Sequence, residues 1–251
     1  MTVSRDTQSS ERIAIVPDAE KLAALAEFAA GAGHEINNPL ATIVGRVQQL
    51  LRDETDPSRR AALHNIGAQA YRVRDMIGDV MLFARPPLPV PRQLDIAEVA
   101  GDVLKKFKAD PRSALCAVVT DFAAGTEIFA DPAQFAVVMH ELLSNARQAL
   151  SPNGGEIRWN ARRVSLGDRN WSEIVLIDHG IGFSATEARH AFDPYFSGRQ
   201  AGRGLGFGLC KCLRIAEMHH AMLEVASSSA GPTTVRVIWP ADAPSARPLD
   251  G

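Results

Sequence analysis

PPLPVP, residues 86–91, places four prolines in six positions. Proline fixes φ and has no N–H to give, so this run forms neither helix nor central strand. It reads as a stiff, extended linker. The hydrophobic period changes across it, so it separates two parts of different architecture.

Upstream the pattern is helical. Apolar or small residues fall at 22, 25, 29, 32 and 36, in alternating steps of three and four, which is heptad spacing. The stripe slips by one residue at Pro39 and resumes at 40, 43, 47 and 50. RDETDPS (52–58) is polar and turn-forming, with Pro57 placed to start a new helix. A second stripe follows at Leu63, Ile66, Ala70, Val73, Ile77, Val80 and Ala84. The expectation over 19–85 is an all-α helical hairpin. A lone hairpin cannot cover two continuous apolar stripes. Either a second copy completes a dimeric four-helix bundle, or the hairpin packs on the rest of the chain. The narrow, regular stripe favours the homodimer. Pro39 lacks the N–H that the Glu35 carbonyl needs, so a bend is expected there.

Downstream, residues 92–241 read as an α+β layer. Helices are expected over 96–107, from the Asp131-Pro132 cap to about 150, and from near Leu205. Strands are expected near 114–122, 126–130, 155–164, 172–178, 222–227 and 233–239. Together they make one mostly antiparallel sheet covered by helices. Residues 1–18 and 242–251 read as flexible tails.

Composition narrows the function. The chain has 251 residues, with 27 Lys and Arg against 29 Asp and Glu. A net charge of −2 gives no electrostatic case for nucleic acid or an anionic membrane. No apolar run reaches the roughly 18–20 residues of a membrane helix. The polar N-terminus does not read as a signal peptide. Cys116, Cys210 and Cys212 fit no redox or zinc spacing. They are expected to be free thiols in a reducing cytoplasm.

Three segments of the second region carry chemistry. In HELLSNA (140–146), Glu141 and Asn145 lie one turn apart on one helix face. A carboxylate and an amide oxygen suit Mg²⁺, which takes few protein ligands. In DHGIG (178–182), a carboxylate at a strand end can accept from an exocyclic amine. Gly180 and Gly182 let backbone approach a flat ligand. In GRGLGFGL (202–209), Gly204, Gly206 and Gly208 expose successive N–H groups ahead of a helix N-terminus, a phosphate cradle. Taken together they imply a nucleotide site. The roughly twenty residues between the last two segments hold Phe192-Asp193-Pro194-Tyr195-Phe196 and read as a lid. Arg199 and Arg203 either meet the terminal phosphate from it or are solvated.

The sequence resembles a sensor histidine kinase transmitter core over about residues 20–240. GHEINNPL is similar to the phospho-acceptor box, HELLSNA to the asparagine box and DHGIGF to the first glycine box. FDPYF resembles the aromatic box, GRGLGFGL the second glycine box, and GPTTVRVIWP the closing Gly-Thr strand. The resemblance implies a dimerisation and phosphotransfer bundle followed by an α+β sandwich of the Bergerat ATPase type. It implies ATP and Mg²⁺, autophosphorylation of His34, and transfer to an aspartate of a response-regulator receiver domain. Glu35 would draw off the His34 proton, and Asn38 would position water for phosphatase action. Asn145 matches the metal-liganding asparagine and Asp178 the adenine-binding aspartate. Gly180 and Gly182 match the adenine-side loop; Gly204, Gly206 and Gly208 match the phosphate-side loop.

Three positions depart from the common pattern. Glu141 stands where Asn is usual, so it touches metal, orients water or only hydrogen-bonds. His179 replaces a commoner Asn, and Ala221 a commoner Gly. Residues 1–18 are too few to fold alone. Signal input is therefore expected from a separate sensor protein, from the tail, or from a part beyond this chain. The heptad puts His34 at f if Ala29 and Ile36 are a and Ala32 is d. Position f faces away from the seam, as an acceptor must. Two other readings stand beside the kinase: a Bergerat-fold ATPase that uses Glu141 on water, and a non-catalytic dimeric scaffold.

Overall fold

The computed structural model describes residues 12–13, 19–194, 196, 206–227 and 231–243. The chain divides into two compact units, Val16–Pro87, and Leu88–Gly251 with Met1–Ile15.

The first unit is the helical hairpin. Helix α1 spans Ala19–Asp53 and α2 spans Pro57–Ala84. The turn between them satisfies both helix ends. Asp56 caps α2 by accepting the Arg59 N–H at 2.9 Å. Arg60 Nη1 donates to the Leu51 and Glu54 carbonyls at 3.0 and 2.8 Å, closing the end of α1. Helix α1 is uninterrupted, with Pro39 inside it. One turn later Thr42 Oγ1 donates to the Asn38 carbonyl at 3.1 Å, and Leu40 and Val47 are buried. Packing therefore carries the helix past the missing donor.

The single stripe expected on α2 divides in two. Ala70, Val80 and Ala84 are buried, and Leu63 and Ile77 are half-buried. Ile66 and Val73 stay 51% and 38% exposed, beside Ile43 at 42% and Leu50 at 57% on α1. Steps of three and four drift around a 3.6-residue helix, so alternate members of one stripe meet different neighbours. Small residues let the two helices approach. A Cβ at Gly33 would lie 2.6 Å from Met81 Sδ, and one at Gly67 would lie 3.3 Å from Val47 Cγ1.

The second unit is a layer of helices on a sheet. Strand β2 (Arg92–Asp95) pairs with β4 (Glu127–Ala130) as a separate ribbon. The main sheet comprises β3 (Cys116–Phe122), β5 (Gly155–Leu166), β6 (Arg169–Asp178), β7 (Met222–Ala226) and β8 (Thr233–Pro240). It also includes β1 (Arg12–Ile13), and its order is β1-β7-β8-β6-β5-β3. Among the described residues, only β3 and β5 pair in parallel. Period-2 alternation sends Ile157, Trp159, Ile174, Leu176, Val237 and Trp239 into the core. Helices α3 (Ile96–Ala109), α4 (Pro132–Ala149) and α6 (Gly208–Met218) bury their apolar faces in the same core.

Three expectations change. Arg12–Ile13 do not belong to a flexible tail, since they pair with Ala226 and Val225 of β7. The linker's second half groups with the second unit, where the Val90 N–H donates to Asp131 Oδ2 at 2.9 Å. The helix expected from Leu205 is described from Gly208, residue 205 lying outside the described residues. The tail beyond residue 243 also lies outside them.

Candidate nucleotide site and acceptor box

Asp131 starts the helix that carries the asparagine box. Its Oδ1 accepts from Ala133 N–H at 2.9 Å and Gln134 N–H at 3.0 Å. Burial opposes its charge, but the N–H groups of Val90, Gln134 and Ala133 outweigh this and hold its carboxyl below the usual range. Helix α4 then buries Phe135, Val138, Met139, Leu142, Leu143 and Ala146, a three-four pattern. That choice leaves Glu141 and Asn145 half-buried at the edge of the layer.

Asp178 ends β6, buried between its register partners Ile157 of β5 and Thr233 of β8. Its Oδ1 accepts from Gly180 N–H at 2.9 Å, which turns the chain sharply out of the strand. Gly180 lies on the C-terminal end of α4, where a Cβ would overlap the Ala149 carbonyl. Ile181 N–H donates to that carbonyl at 3.0 Å. Gly182 has φ 66°, a left-handed conformation that glycine adopts freely. The loop is pinned on its far side by Ser227 Oγ, which accepts from Phe183 N–H at 3.0 Å and bonds Thr233 Oγ1 at 2.9 Å. Ser227 and Thr233 were not singled out from sequence. Thr233 opens the Gly-Thr strand, but the contact of both residues with the Asp178 loop is long-range.

The segment expected to be a lid begins with a short helix, α5 (Ala185–His190), closed by a capping box between Ser184 and Glu187. The S-A-T-E spacing announces that helix in the sequence. Phe192 of the aromatic box is buried in the layer. Tyr195, Arg199, Arg203 and Gly204 lie outside the described residues.

Past the lid the cradle glycines resume. Gly206 has φ 71°, and a Cβ there would overlap the Phe196 backbone. Gly208 opens α6 directly over the asparagine box. A Cβ on it would lie 3.0 Å from Glu141 Oε2 and 3.4 Å from Asn145 Nδ2. The two polar side chains and the phosphate-side loop thus meet at one point. That point fits a phosphate with a hard cation: glycine backbone on one side, amide and carboxylate on the other. Among the described residues there is no group of three or more His, Cys, Asp or Glu able to hold a metal. Asn145 and Glu141 are the oxygen-bearing side chains that lie nearest Gly208.

Sequence reading missed Lys211. Its ammonium lies 2.7 Å from Glu141 Oε1, with the lysine side chain only 6% exposed. No local pattern marks it, since its partner is 70 residues away. Farther along α6, His219 Nε2 accepts from Asp131 N–H at 3.0 Å, while Nδ1 lies 3.0 Å from the Ile215 carbonyl. Burial pushes the His219 pKa down, although the Ile215 carbonyl and Asp131 pull the other way. The left-handed cap after α6 falls on His220, at φ 56°, so Ala221 stands where no glycine is required.

The acceptor box lies in the other unit. His34, Glu35 and Asn38 all sit on α1, within four residues of one another. Glu35 and Asn38 are exposed, whereas the His34 side chain is outside the described set. Ile36, expected at the seam, is half-buried.

A helical hairpin followed by an α+β layer with a glycine-rich polar cluster gives the chain two separate parts. Residues 24–88 match the His Kinase A (phospho-acceptor) domain. Residues 130–243 match the histidine kinase-, DNA gyrase B- and HSP90-like ATPases. The chain carries both domains in this order, the arrangement of a sensor histidine kinase transmitter core. It is similar to the signal transduction histidine-protein kinase AtoS of Escherichia coli (strain K12), at 29% identity over 241 residues, covering 96% of this chain and 38% of AtoS. Sporulation kinase B of Bacillus subtilis (strain 168) is 26% identical over 227 residues, covering 90% of this chain and 52% of that kinase. The chain thus spans about half or less of these relatives. Full-length ShkA, in its crystal structure with AMPPNP, shares the fold with a TM-score of 0.72 at 16% identity. That match covers 87% of this chain and 47% of ShkA. No helix among the described residues is long and apolar enough to cross a membrane.

Proposed function

We propose that the chain binds ATP between the two glycine boxes and phosphorylates His34, then passes the phosphoryl group to an aspartate of a response-regulator receiver domain. One observation carries this reading: Gly208 brings the phosphate-side loop onto Glu141 and Asn145, while Gly180 brings the Asp178 loop onto the same helix. Asp178 takes the adenine amine, with Gly180 and Gly182 giving the base close backbone approach. Gly204, Gly206 and Gly208 present N–H groups to the phosphates. Asn145, with Glu141 beside it, would hold Mg²⁺, whose charge offsets that of the phosphates.

In the transfer, an imidazole nitrogen of His34 forms the new bond to the γ-phosphorus. The bond to the β,γ-bridging oxygen breaks, and ADP leaves with its electron pair. Glu35 takes the ring proton. Asn38, one turn along α1, serves the reverse task of placing water on a phosphorylated partner.

The homodimer reading is supported by Ile43, Leu50, Ile66 and Val73, apolar and exposed along the hairpin. Free thiols at Cys116, Cys210 and Cys212 support a reducing, cytoplasmic setting.

Incubation with γ-labelled ATP and Mg²⁺ should give an acid-labile, base-stable label. His34→Gln should reduce it to background with nucleotide binding intact. Equal labelling of that variant would refute the assignment.

A further inference from the structure

Glu141 and Asn145 share a helix face, and Gly208 covers them from α6. Lys211 is one turn farther along α6, and its ammonium reaches back to Glu141 Oε1 at 2.7 Å. Lysine is almost never this buried unless paired. A buried ion pair of this kind contributes little net stability over a well-packed apolar pair, so stability does not explain it. Its specific effect is geometric. One carboxylate oxygen, Oε1, is bound to Lys211 of α6, and the other, Oε2, lies next to Gly208, where the Asn145 amide also lies. A carboxylate that activates water must be able to turn a lone pair to that water. Glu141 is instead tied at one end.

We infer that Lys211 is a positioning residue: it holds Glu141 as a fixed wall of the nucleotide site beside Asn145, and so keeps the site from hydrolysing ATP instead of transferring phosphate. The inference rests on the reading of this cluster as the phosphate end of the ATP site. Without Lys211 the carboxylate is free to turn. Water then forms the new bond to the γ-phosphorus, the bond to the β,γ-bridging oxygen breaks, ADP leaves with the electron pair, and Glu141 takes the water's proton.

The test uses the full chain and two readouts. The first is the ratio of phosphate released to phosphohistidine formed, with γ-labelled ATP. The second is AMPPNP affinity by calorimetry, with and without Mg²⁺. Lys211→Met should raise the release ratio by about tenfold or more. It should also weaken the gain in affinity that Mg²⁺ brings, because Asn145 loses its fixed neighbour. Adding Glu141→Gln to Lys211→Met should remove the excess release, a reversal that a merely structural role for Lys211 does not predict. If Lys211→Met does not fold, Lys211→Leu, which also removes the donor, should show the same direction. A folded, nucleotide-binding Lys211 variant with an unchanged release ratio overturns the inference. Wild-type protein that binds no AMPPNP overturns the site reading itself, and the two failures are thereby distinct.

Discussion

In the ATP-binding unit, Trp159 and Trp239 are fully buried, each meeting a phenylalanine edge-on at 5.4 and 5.3 Å. In the hairpin the buried set runs to residues such as Leu40, Val47, Ala70 and Val80, while Leu50 and Ile66 remain more than half exposed. One unit closes its own core; the other presents an apolar strip that its own two helices leave uncovered. The chemistry divides along the same line. The groups proposed to hold a nucleotide, Asp178, Glu141 and Asn145, sit in the unit with the closed core. The proposed acceptor, His34, belongs to the unit whose exposed apolar residues a second copy would cover. The contrast teaches that a transmitter of this kind separates precision from access.

The sharpest way to break that comparison is to charge the strip. Ile66→Asp should weaken self-association by about 100-fold, on the order of 3 kcal/mol, because a carboxylate would lose water in the interface. Sedimentation against concentration reads it. Melting of the ATP-binding unit should be unchanged. If Ile66→Asp leaves association intact, the exposed strip is not the dimer seam.

A smaller effect is expected in the closed unit. Gly180→Ala forces a methyl into the Ala149 carbonyl, and overpacking of this kind costs about 1–3 kcal/mol. Thermal melting should fall accordingly, and AMPPNP affinity with it, since the same contact places the Asp178 loop. A loss of affinity with no loss of stability would separate the loop from the core and weaken the contrast.

The smallest effect is on pH. His219 is held neutral by burial, with its pKa lowered from the model-compound value of 6.5. Above that value neither the folded nor the unfolded chain is protonated there, and the contribution is complete. Below it the unfolded chain binds the proton first, so stability falls as pH drops toward the lower folded pKa. Melting of the ATP-binding unit should therefore decline as the pH falls below about 6.5. His219→Gln should flatten that decline, whereas the hairpin should not respond to this substitution. An equal slope in the variant would show that another group sets the pH response.

Much of this organisation is legible along the chain. Strand alternation and the Asp131-Pro132 cap are local signals, and β5, β6, β8 and α4 fall close to where they place them. The capping box at Ser184–Glu187 is equally local, although the helix it starts has only six residues and no period to show. Strand β1 could not be read, because two residues carry no alternation; it exists only by pairing with β7. The heptad stripe was legible as a stripe but not as two faces, since that depends on how far α1 and α2 turn about each other.

The sequence by itself determined the two periodicities, the proline run between them, and the residue types of each box, because each depends on neighbours a few positions away. Only the tertiary structure decided that Gly180 rests on the end of α4, that Gly208 covers Glu141 and Asn145, and that Lys211 binds Glu141. Those contacts join residues about 30 to 70 positions apart, and no local rule of spacing specifies which buried partner a side chain will meet once the layers close.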